Sequence, residues 1–299
     1  MSGEVVREDT TFRSDGVHCA AWLYRPKAAK KSRVPVVVMA HGFAAQRAFG
    51  LESYAKQFAA RGLAVLLFDY RHFGDSGGEP RDLVDHRRQH RDWLGAIEHA
   101  RSIDQIDPES IGLWGSSYSG GHVIWAAAKT PGVKAVVAQA PMLDVLRSAR
   151  VGPRYVLQAV GHIVADYGAA MLGRTPHYIP TVAEPDQFAA LNQPGSDSGY
   201  RAIIPKDANW KNRCTARSLW TSLFFRPARQ AARVRCPALI VIAERDQVIR
   251  ARVIETAAAR IPRATVLRVP VDHFQFYQGE LFETISQKQA EFLERHLIG

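Results

Sequence analysis

A serine in a glycine-rich turn is the first residue whose surroundings suggest chemistry. Ser117 lies in the segment Gly115-Ser-Ser-Tyr-Ser-Gly-Gly121, which joins an apolar run to a stretch with helical periodicity. A nucleophile elbow needs a strand, a sharp turn that exposes the hydroxyl, and small residues two positions to either side. Gly115 and Ser119 meet that demand, so the spacing predicts that Ser117 is a nucleophile.

Ser119 is the alternative nucleophile in the same segment. If the register is shifted by two residues, Ser117 and Gly121 flank Ser119 in the same way. That register requires the preceding strand to continue for two further residues. A turn rich in serine and glycine can also occur without any chemistry, so the segment taken alone leaves these readings open.

His273 is the predicted general base. A serine nucleophile needs a histidine to take its proton, and on an elbow of this kind the chain order is serine, acid, histidine. Of the 11 histidines, only His273 and His296 follow the apolar run at 238–243. His296 falls on the last turn of a predicted terminal helix, where fraying would spoil its position, which leaves His273.

Asp246 is the predicted acid that orients this histidine. It follows a buried strand in a loop at the carboxyl-end edge of the sheet, where catalytic groups of such folds gather. Glu244 is closer to the strand and is expected to pair with another residue, while Asp272 adjoins His273 too closely for a good hydrogen bond. Asp144 remains the rival, because its loop reaches the same edge.

Two backbone N–H groups are the predicted oxyanion hole. Acyl transfer creates a negatively charged oxygen that needs preorganised donors. The N–H of Tyr118 follows the nucleophile directly, and the N–H of Phe43 lies in the loop after the strand that ends near His41. A simple turn that ends the strand explains His41-Gly42 equally well.

The elements that must position these residues alternate along the chain. Apolar runs rich in β-branched residues predict buried strands at Val34–Ala40, Ala64–Tyr70, Ile111–Gly115, Lys134–Ala140, Ala238–Ala243 and Ala264–Val269. Helical periodicity occurs near Leu51–Arg61, Val84–Arg101, Ser119–Lys129, Arg250–Arg260 and Leu281–His296. This alternation predicts an α/β fold whose mostly parallel central sheet carries helices on both faces. An antiparallel hairpin is expected around Ser14-Asp15-Gly16.

About ninety residues interrupt the alternation. A structureless loop of that length inside a compact domain is improbable, and helical patches recur near Tyr155–Leu172 and Asn212–Phe225. We therefore predict a mainly helical cap, or lid, at residues 145–235, inserted after the strand at 134–140. Residues 1–144 and 236–299 form the predicted core domain. Residues 145–235 are called the cap segment below.

The composition restricts the class of protein. With 46% hydrophobic and 23% charged residues, the 299-residue chain resembles an ordinary globular protein. No apolar run approaches the roughly 20 residues that cross a bilayer, and the first eleven residues are polar, which predicts a soluble, cytoplasmic protein that binds no membrane. Three widely spaced cysteines suggest neither disulfides nor a metal site.

The net charge of +10 is concentrated in one region. Between Val145 and Cys236 there are 13 Lys plus Arg against 5 Asp plus Glu. This surplus either guides an anionic or carrier-bound substrate or is a solvated arginine-rich surface. No nucleic-acid-binding motif accompanies it, so nucleic acid is excluded as a partner. The sequence leaves the oligomeric state open, and a homodimer is one assembly that it allows.

Together these motifs resemble the α/β-hydrolase superfamily of serine hydrolases. The matching segments are His41-Gly-Phe43, Asp69-Tyr-Arg-His-Phe-Gly-Asp-Ser-Gly77, Gly115–Gly121, Ala243-Glu-Arg-Asp246 and Asp272-His273. The Ser-Tyr elbow is similar to the X-Pro dipeptidyl-peptidase and cocaine-esterase branch, and the His-Gly-Phe segment to dienelactone-hydrolase-like enzymes. The additional β-domain of the former branch is missing, which argues against a peptidase.

The resemblance implies a mechanism and the residues that perform it. Ser117 would attack a carbonyl, His273 would move the proton, and Asp246 would hold the imidazole, with no metal or organic cofactor. Asp69 and Arg71 would shape a structural loop near the oxyanion strand. The expected substrate is a small ester, thioester or related acyl compound. Acyl transfer, cleavage of a C–C bond by the same three residues, and a non-catalytic binding protein are the alternatives.

Overall fold

An eight-stranded sheet forms the centre of the computed structural model, which describes residues 4–27 and 33–299. The strands are β1 (Val5–Ser14), β2 (Val17–Pro26), β3 (Val34–Ala40), β4 (Ala64–Phe68), β5 (Ile106–Ser116), β6 (Val133–Gln139), β7 (Tyr178–Ile179), β8 (Cys214–Thr215), β9 (Ala238–Ala243) and β10 (Ala264–Val269). The central sheet has the order β1-β2-β4-β3-β5-β6-β9-β10, while β7 and β8 pair separately.

The directions of the strands agree with the prediction from the sequence. β1 pairs antiparallel with β2, and β2 pairs antiparallel with β4. Every other neighbour in the central sheet pairs in parallel. The predicted mostly parallel sheet, with an antiparallel hairpin at one edge, is confirmed. The parallel arrangement brings the carboxyl ends of β3, β5, β6 and β9 to one edge, where the candidate site lies.

Helices cover both faces of this sheet. They are α1 (Glu52–Ala60), α2 (His86–Ser102), α3 (Tyr118–Lys129), α4 (Val145–Ser148), α5 (Pro153–Met171), α6 (Ser196–Ala202), α7 (Arg217–Leu223), α8 (Ala251–Ala258) and α9 (Glu280–Leu297). In β3, Val36 and Val38 face a core shared with α2, α3 and α8, whereas Val37 and Met39 face a core shared with α1 and α9. Among the described helices, none is both long enough and apolar enough to cross a membrane.

One predicted buried strand is largely exposed. Of the six residues of β10, only Val269 is buried, and Val266 is 44% exposed. Among the strands of residues 4–27 and 33–299, β10 lies at the edge of the sheet and pairs with β9 alone. An apolar run therefore identified the strand correctly but could not show its position in the sheet.

The cap segment lies between β6 and β9, and most of its regular secondary structure is helical. It contains α4 to α7 and a 3-10 helix at Pro227–Arg233. The periodicity near Tyr155–Leu172 corresponds to α5. The patch near Asn212–Phe225 is only partly helical, because it begins with β8 before α7 starts. The short β7-β8 pair has no apolar run long enough to predict it.

Candidate active site

Ser117 occupies the sharp turn between β5 and α3. Its backbone has φ 57° and ψ −119°, a region that side chains with a Cβ rarely adopt. Two hydrogen bonds hold this conformation: the Ser117 N–H donates to the Gln139 carbonyl at 2.8 Å, and the Met142 N–H donates to the Ser117 carbonyl at 2.8 Å. The end of β6 therefore fixes the turn that presents the hydroxyl.

Glycine is required around the turn for steric reasons. A Cβ on Gly115 would lie 2.4 Å from the Ser119 carbonyl oxygen, and one on Gly121 would lie 2.1 Å from the Met142 carbonyl oxygen. Both distances are far below van der Waals contact. The close approach of strand and helix thus depends on Gly115 and Gly121.

The structure brings Ser117, His273 and Asp246 into one hydrogen-bonded chain. The Ser117 Oγ lies 2.9 Å from His273 Nε2, and His273 Nδ1 lies 2.7 Å from Asp246 Oδ2. The other carboxylate oxygen, Oδ1, accepts the N–H groups of Val248 at 2.7 Å and Ile249 at 2.8 Å. Since Asp246 is anchored in this way, the tautomer with Nδ1 protonated is favoured and Nε2 is free to accept the serine proton.

The alternative residues occupy other environments. Ser119 is fully buried, with its Oγ 3.3 Å from the Tyr70 hydroxyl. Asp144 caps α4 by accepting the Arg147 N–H at 3.1 Å. His296 lies on the last turn of α9 against Phe292. Neither Ser119 nor Asp144 forms a hydrogen bond with His273.

The two residues predicted to supply the oxyanion donors lie at the same cavity as Ser117. Phe43 and Tyr118 line one cavity with the serine, and within the described residues neither backbone N–H has an acceptor. The loop that carries Phe43 is held from the cap segment, because the Tyr200 hydroxyl donates to the Phe43 carbonyl at 3.0 Å. Sequence reasoning missed Tyr200, which no motif marks.

His41 supports this loop in its neutral form. Its Nε2 accepts the Tyr70 N–H at 3.3 Å, so Nδ1 is the nitrogen that donates to the Gly42 carbonyl at 2.9 Å. Burial lowers the pKa of His41 to about 3. The imidazole is therefore uncharged near neutral pH, and its two hydrogen bonds link the loop after β3 to the loop after β4.

Charged side chains of the loop at 69–77 form ion pairs that hold the surrounding loops in place. Asp69 accepts the backbone N–H of Arg47 at 2.6 Å and also binds its guanidinium, which reaches Asp75 at 2.6 Å. Burial raises the pKa of Asp69 to about 6. Arg71 donates from Nε to the buried Asp92 at 2.7 Å. These pairs brace the loops beside β3 and do not contact Ser117.

A buried polar network lies directly beneath Ser117. The Ser116 Oγ accepts hydrogen bonds from the Tyr277 hydroxyl at 2.7 Å and from Gln139 Nε2 at 3.1 Å. Gln139 Oε1 in turn accepts from the Tyr54 hydroxyl at 2.9 Å and from Gln289 Nε2 at 2.7 Å. The network ties the elbow to three distant parts of the chain, which the local sequence pattern gave no means of finding.

A cavity of about 250 Å³ opens above Ser117 and is almost entirely apolar. One face of α5 contributes side chains at helical spacing: Tyr155, Val156, Ala159, Val160 and Ile163. The remaining apolar lining includes Phe43, Met142, Val145, Val151, Leu191, Leu219, Trp220, Leu223 and Val248. No Asp, Glu, Lys or Arg of the described chain lines this apolar cavity. An uncharged, apolar group suits it best.

The described residues show no arrangement suited to a metal ion. Within 4–27 and 33–299, no group of three or more His, Cys, Asp or Glu side chains could hold one. Cys19, Cys214 and Cys236 are all buried and unpaired with one another.

Comparison with known proteins places this geometry in a family. The model of the X-Pro dipeptidyl-peptidase (S15) family matches residues 15–275, which is most of the chain. The chain belongs to the S15 family. Its fold is that of the α/β hydrolases. The alpha/beta hydrolase GrgF from Penicillium superposes with a TM-score of 0.84 at 24% identity, over 98% of this chain and 100% of that one.

Two curated relatives cover nearly the same length as this S15 chain. The quorum-quenching protein AidA of Acinetobacter baumannii is 36% identical over 96% of this chain and 94% of its own. The thiohydrolase aneE of Aspergillus aculeatus is 28% identical over 89% of this chain and 86% of its own.

Proposed function

We propose that this protein is a serine hydrolase that cleaves an ester or thioester of an apolar acyl group through an acyl-enzyme. The observation that carries the proposal is the hydrogen-bonded chain of Ser117, His273 and Asp246, in which Ser117 lines the apolar cavity. A nucleophile, a base and an orienting acid in contact are the groups that acyl transfer requires.

The first half of the reaction forms the acyl-enzyme. The Ser117 Oγ attacks the carbonyl carbon while His273 Nε2 takes the hydroxyl proton, and Asp246 stabilises the imidazolium that results. The N–H groups of Phe43 and Tyr118 stabilise the oxyanion. When the intermediate collapses, the bond to the leaving group breaks and His273 returns the proton to the departing oxygen or sulfur.

The second half requires water, and a small chamber beside the serine suits it. This chamber of about 30 Å³ is lined by Ser117, His273, Gly42 and Tyr277, among others. A cavity holds one water once it offers roughly 10–15 Å³ to a water-sized probe. Water placed there is within reach of His273, which would remove its proton as its oxygen attacks the acyl carbon. The small size favours water over a large acceptor.

The lining of the apolar cavity supports an acyl substrate over a peptide. A dipeptidyl-peptidase must bind the α-ammonium group of its substrate, and a buried cation needs a carboxylate partner. The described lining contains no Asp or Glu. The relatives named thiohydrolase in Aspergillus aculeatus and Eupenicillium brefeldianum support a thioester as one substrate class.

Transfer of the acyl group is the second candidate reaction. A relative from Stachybotrys chlorohalonatus, 28% identical over 98% of this chain, is named a polyketide transferase. Transfer and hydrolysis share the acyl-enzyme and differ in the acceptor. Product analysis with and without an added alcohol or amine separates them, since transfer predicts a new ester or amide at the expense of free acid.

Filling the apolar cavity tests the proposed acyl site. Ala159 lines the cavity from α5, so Ala159→Phe should lower kcat/KM for p-nitrophenyl octanoate about tenfold or more, a loss typical of steric conflict in a pocket. p-Nitrophenyl acetate should be hydrolysed at the wild-type rate. Ala165→Phe, at an exposed position of the same helix, is the matched control. Equal effects on both esters would contradict the assignment of the cavity.

A further inference from the structure

A second cavity, lined by arginines, lies beside the apolar one. It has a volume of about 230 Å³, and Arg147, Arg250, Arg252 and Arg260 line it together with one carboxylate, Asp144. Four cations against one anion leave a strong positive charge in a concave surface. We call this cavity the arginine pocket.

The arginine pocket extends along α8 and past its end. Arg252 and Thr256 are four residues apart on one face of α8, and both line the pocket. Arg260 lies in the turn that follows the last residue of the helix, Ala258, and lines the pocket from there. The cationic lining therefore comes from more than one turn of the chain, so several arginines can face one ligand.

Backbone carbonyls hold two of these guanidinium groups in place. Arg250 donates from Nη2 to the Ala149 carbonyl at 3.4 Å, and Arg260 donates from Nη1 to the Ala228 carbonyl at 3.2 Å. Each guanidinium has further N–H groups that can donate to an anion. Arginine is the side chain best suited to phosphate, because its planar fork binds two oxygens at once.

Two short segments connect the arginine pocket to the apolar cavity. Ala149 and Val151 line the apolar cavity, while Arg147 of the same segment lines the arginine pocket. Likewise, Val248 lines the apolar cavity and Arg250 lines the arginine pocket. The segments 147–151 and 246–250 therefore form a shared wall, and the second of them begins with Asp246.

We propose that the arginine pocket binds the phosphate groups of a coenzyme A thioester whose acyl chain occupies the apolar cavity. This inference rests on the proposed hydrolase function. Coenzyme A carries a diphosphate and a separate 3′-phosphate, so its negative charge is divided between groups that can pair with several arginines at once. A long uncharged arm separates these phosphates from the thioester sulfur, which matches an apolar reaction site next to a cationic one.

The reaction with such a substrate balances without any further reagent. A bond forms between the Ser117 Oγ and the acyl carbon, the C–S bond breaks, and the thiolate of coenzyme A receives the proton held by His273. Water then releases the fatty acid and restores the Ser117 hydroxyl. The arginine pocket contributes binding of the leaving group and takes no part in the chemistry.

Paired substrates test the inference. Kinetics are measured with octanoyl-coenzyme A and with octanoyl-N-acetylcysteamine, which has the same acyl group and no phosphate. Arg252→Gln combined with Arg260→Gln should raise KM for the coenzyme A thioester about tenfold or more, since hydrogen bonds between charged groups are worth roughly a tenfold affinity each. KM for the phosphate-free thioester should stay within about twofold of wild type, allowing for a weak change of surface charge. Arg101→Gln is the matched control, because Arg101 also donates to a backbone carbonyl, that of Pro131.

The remaining outcomes are distinct. An unchanged KM for octanoyl-coenzyme A, or an equal loss with both thioesters, would overturn the inference. Dependence on these arginines for an acyl carrier protein thioester, with none for coenzyme A, would also overturn it and assign the pocket to a carrier. If neither thioester is hydrolysed, thioester hydrolysis fails as the activity, and calorimetric titration of coenzyme A onto Ser117→Ala still tests the arginine pocket. Weaker binding after the arginine substitutions supports the inference, whereas no binding, or binding that the substitutions leave unchanged, contradicts it.

Discussion

At the scale of single residues, Asp246 illustrates how a carboxylate is made suitable for orienting a histidine. One oxygen accepts two backbone N–H groups, and the other faces His273 Nδ1 at 2.7 Å. The backbone thus fixes the carboxylate, and the carboxylate fixes the imidazole. Asp144, the rival acid, is committed to the start of α4 and to the arginine pocket.

Exchange of the two acids for amides should separate their roles. Asp246→Asn should lower kcat for p-nitrophenyl octanoate on the order of 10³ to 10⁴, because the amide favours the wrong tautomer of the base. Asp144→Asn should leave kcat for this phosphate-free ester unchanged. Steady-state kinetics of both purified variants is the measurement. A large loss for Asp144→Asn alone would transfer the acid role to Asp144.

The three site residues that the sequence predicted were found either from a short motif or from their order along the chain. Ser117 lies in a short motif, while His273 and Asp246 follow from chain order, and the structure places the three in contact. Tyr200 and Tyr277 were not predicted, because they reach Phe43 and Ser116 across 157 and 161 positions of sequence. Such contacts depend on packing between distant segments, which a single sequence does not display.

At the scale of elements, the elbow between β5 and α3 should tolerate no added methyl group. Gly115→Ala places a Cβ 2.4 Å from a backbone carbonyl oxygen, so we expect a loss of unfolding free energy of about 1–3 kcal/mol or more. Gly161→Ala, in the middle of α5, is the control. A Cβ at this position would meet no heavy atom within 4 Å apart from its chain neighbours and the backbone of its own helix. Helix propensity favours alanine over glycine there by about 1 kcal/mol.

Urea unfolding followed by circular dichroism measures both elbow and control variants. If Gly115→Ala were as stable as the wild type, the tight packing of β5 against α3 would be wrong. The sequence predicted this elbow because its glycine pattern is local. It did not predict the exposure of β10 or the pairing of β7 with β8, since both depend on where an element lies in the assembled sheet.

At the scale of the whole molecule, buried histidines should make the fold sensitive to acid. Burial lowers the pKa of His41 and His90 to about 3 and that of His72 to about 4, against an unfolded value of about 6.5. Between pH 6.5 and 4 the unfolded chain therefore binds more protons at these sites, and stability falls as the pH falls. Asp69, whose pKa burial raises to about 6, and Asp92, whose pKa burial also raises, oppose this trend.

Urea unfolding between pH 7.5 and 5 measures this dependence. The free energy of unfolding should decrease toward pH 5, and His90→Gln should reduce the slope by up to about 1.4 kcal/mol per pH unit. His90 stacks on Trp125 at 3.7 Å between ring centres, so the glutamine variant also loses a packing contact and its stability is compared as a slope. Equal or greater stability at pH 5 would contradict the prediction.

The folded structure also shows where positive charge is concentrated. Composition showed a surplus of cations in the cap segment, yet the apolar cavity beneath that segment has no charged lining among the described residues. The arginine pocket instead combines Arg147 of the cap segment with three arginines of the segment at 250–260. Counting charges along the chain could not reveal a cluster that only folding assembles.

Labelling with a fluorophosphonate probe tests the central claim most directly. The native protein is treated with the probe, and the modified peptide is identified by mass spectrometry. We predict a single adduct on Ser117 that persists in Ser119→Ala and is lost in both Ser117→Ala and His273→Ala, because Ser117 is the serine hydrogen-bonded to His273 Nε2 within the described residues. An unlabelled native protein, or an adduct on Ser119, would contradict the account.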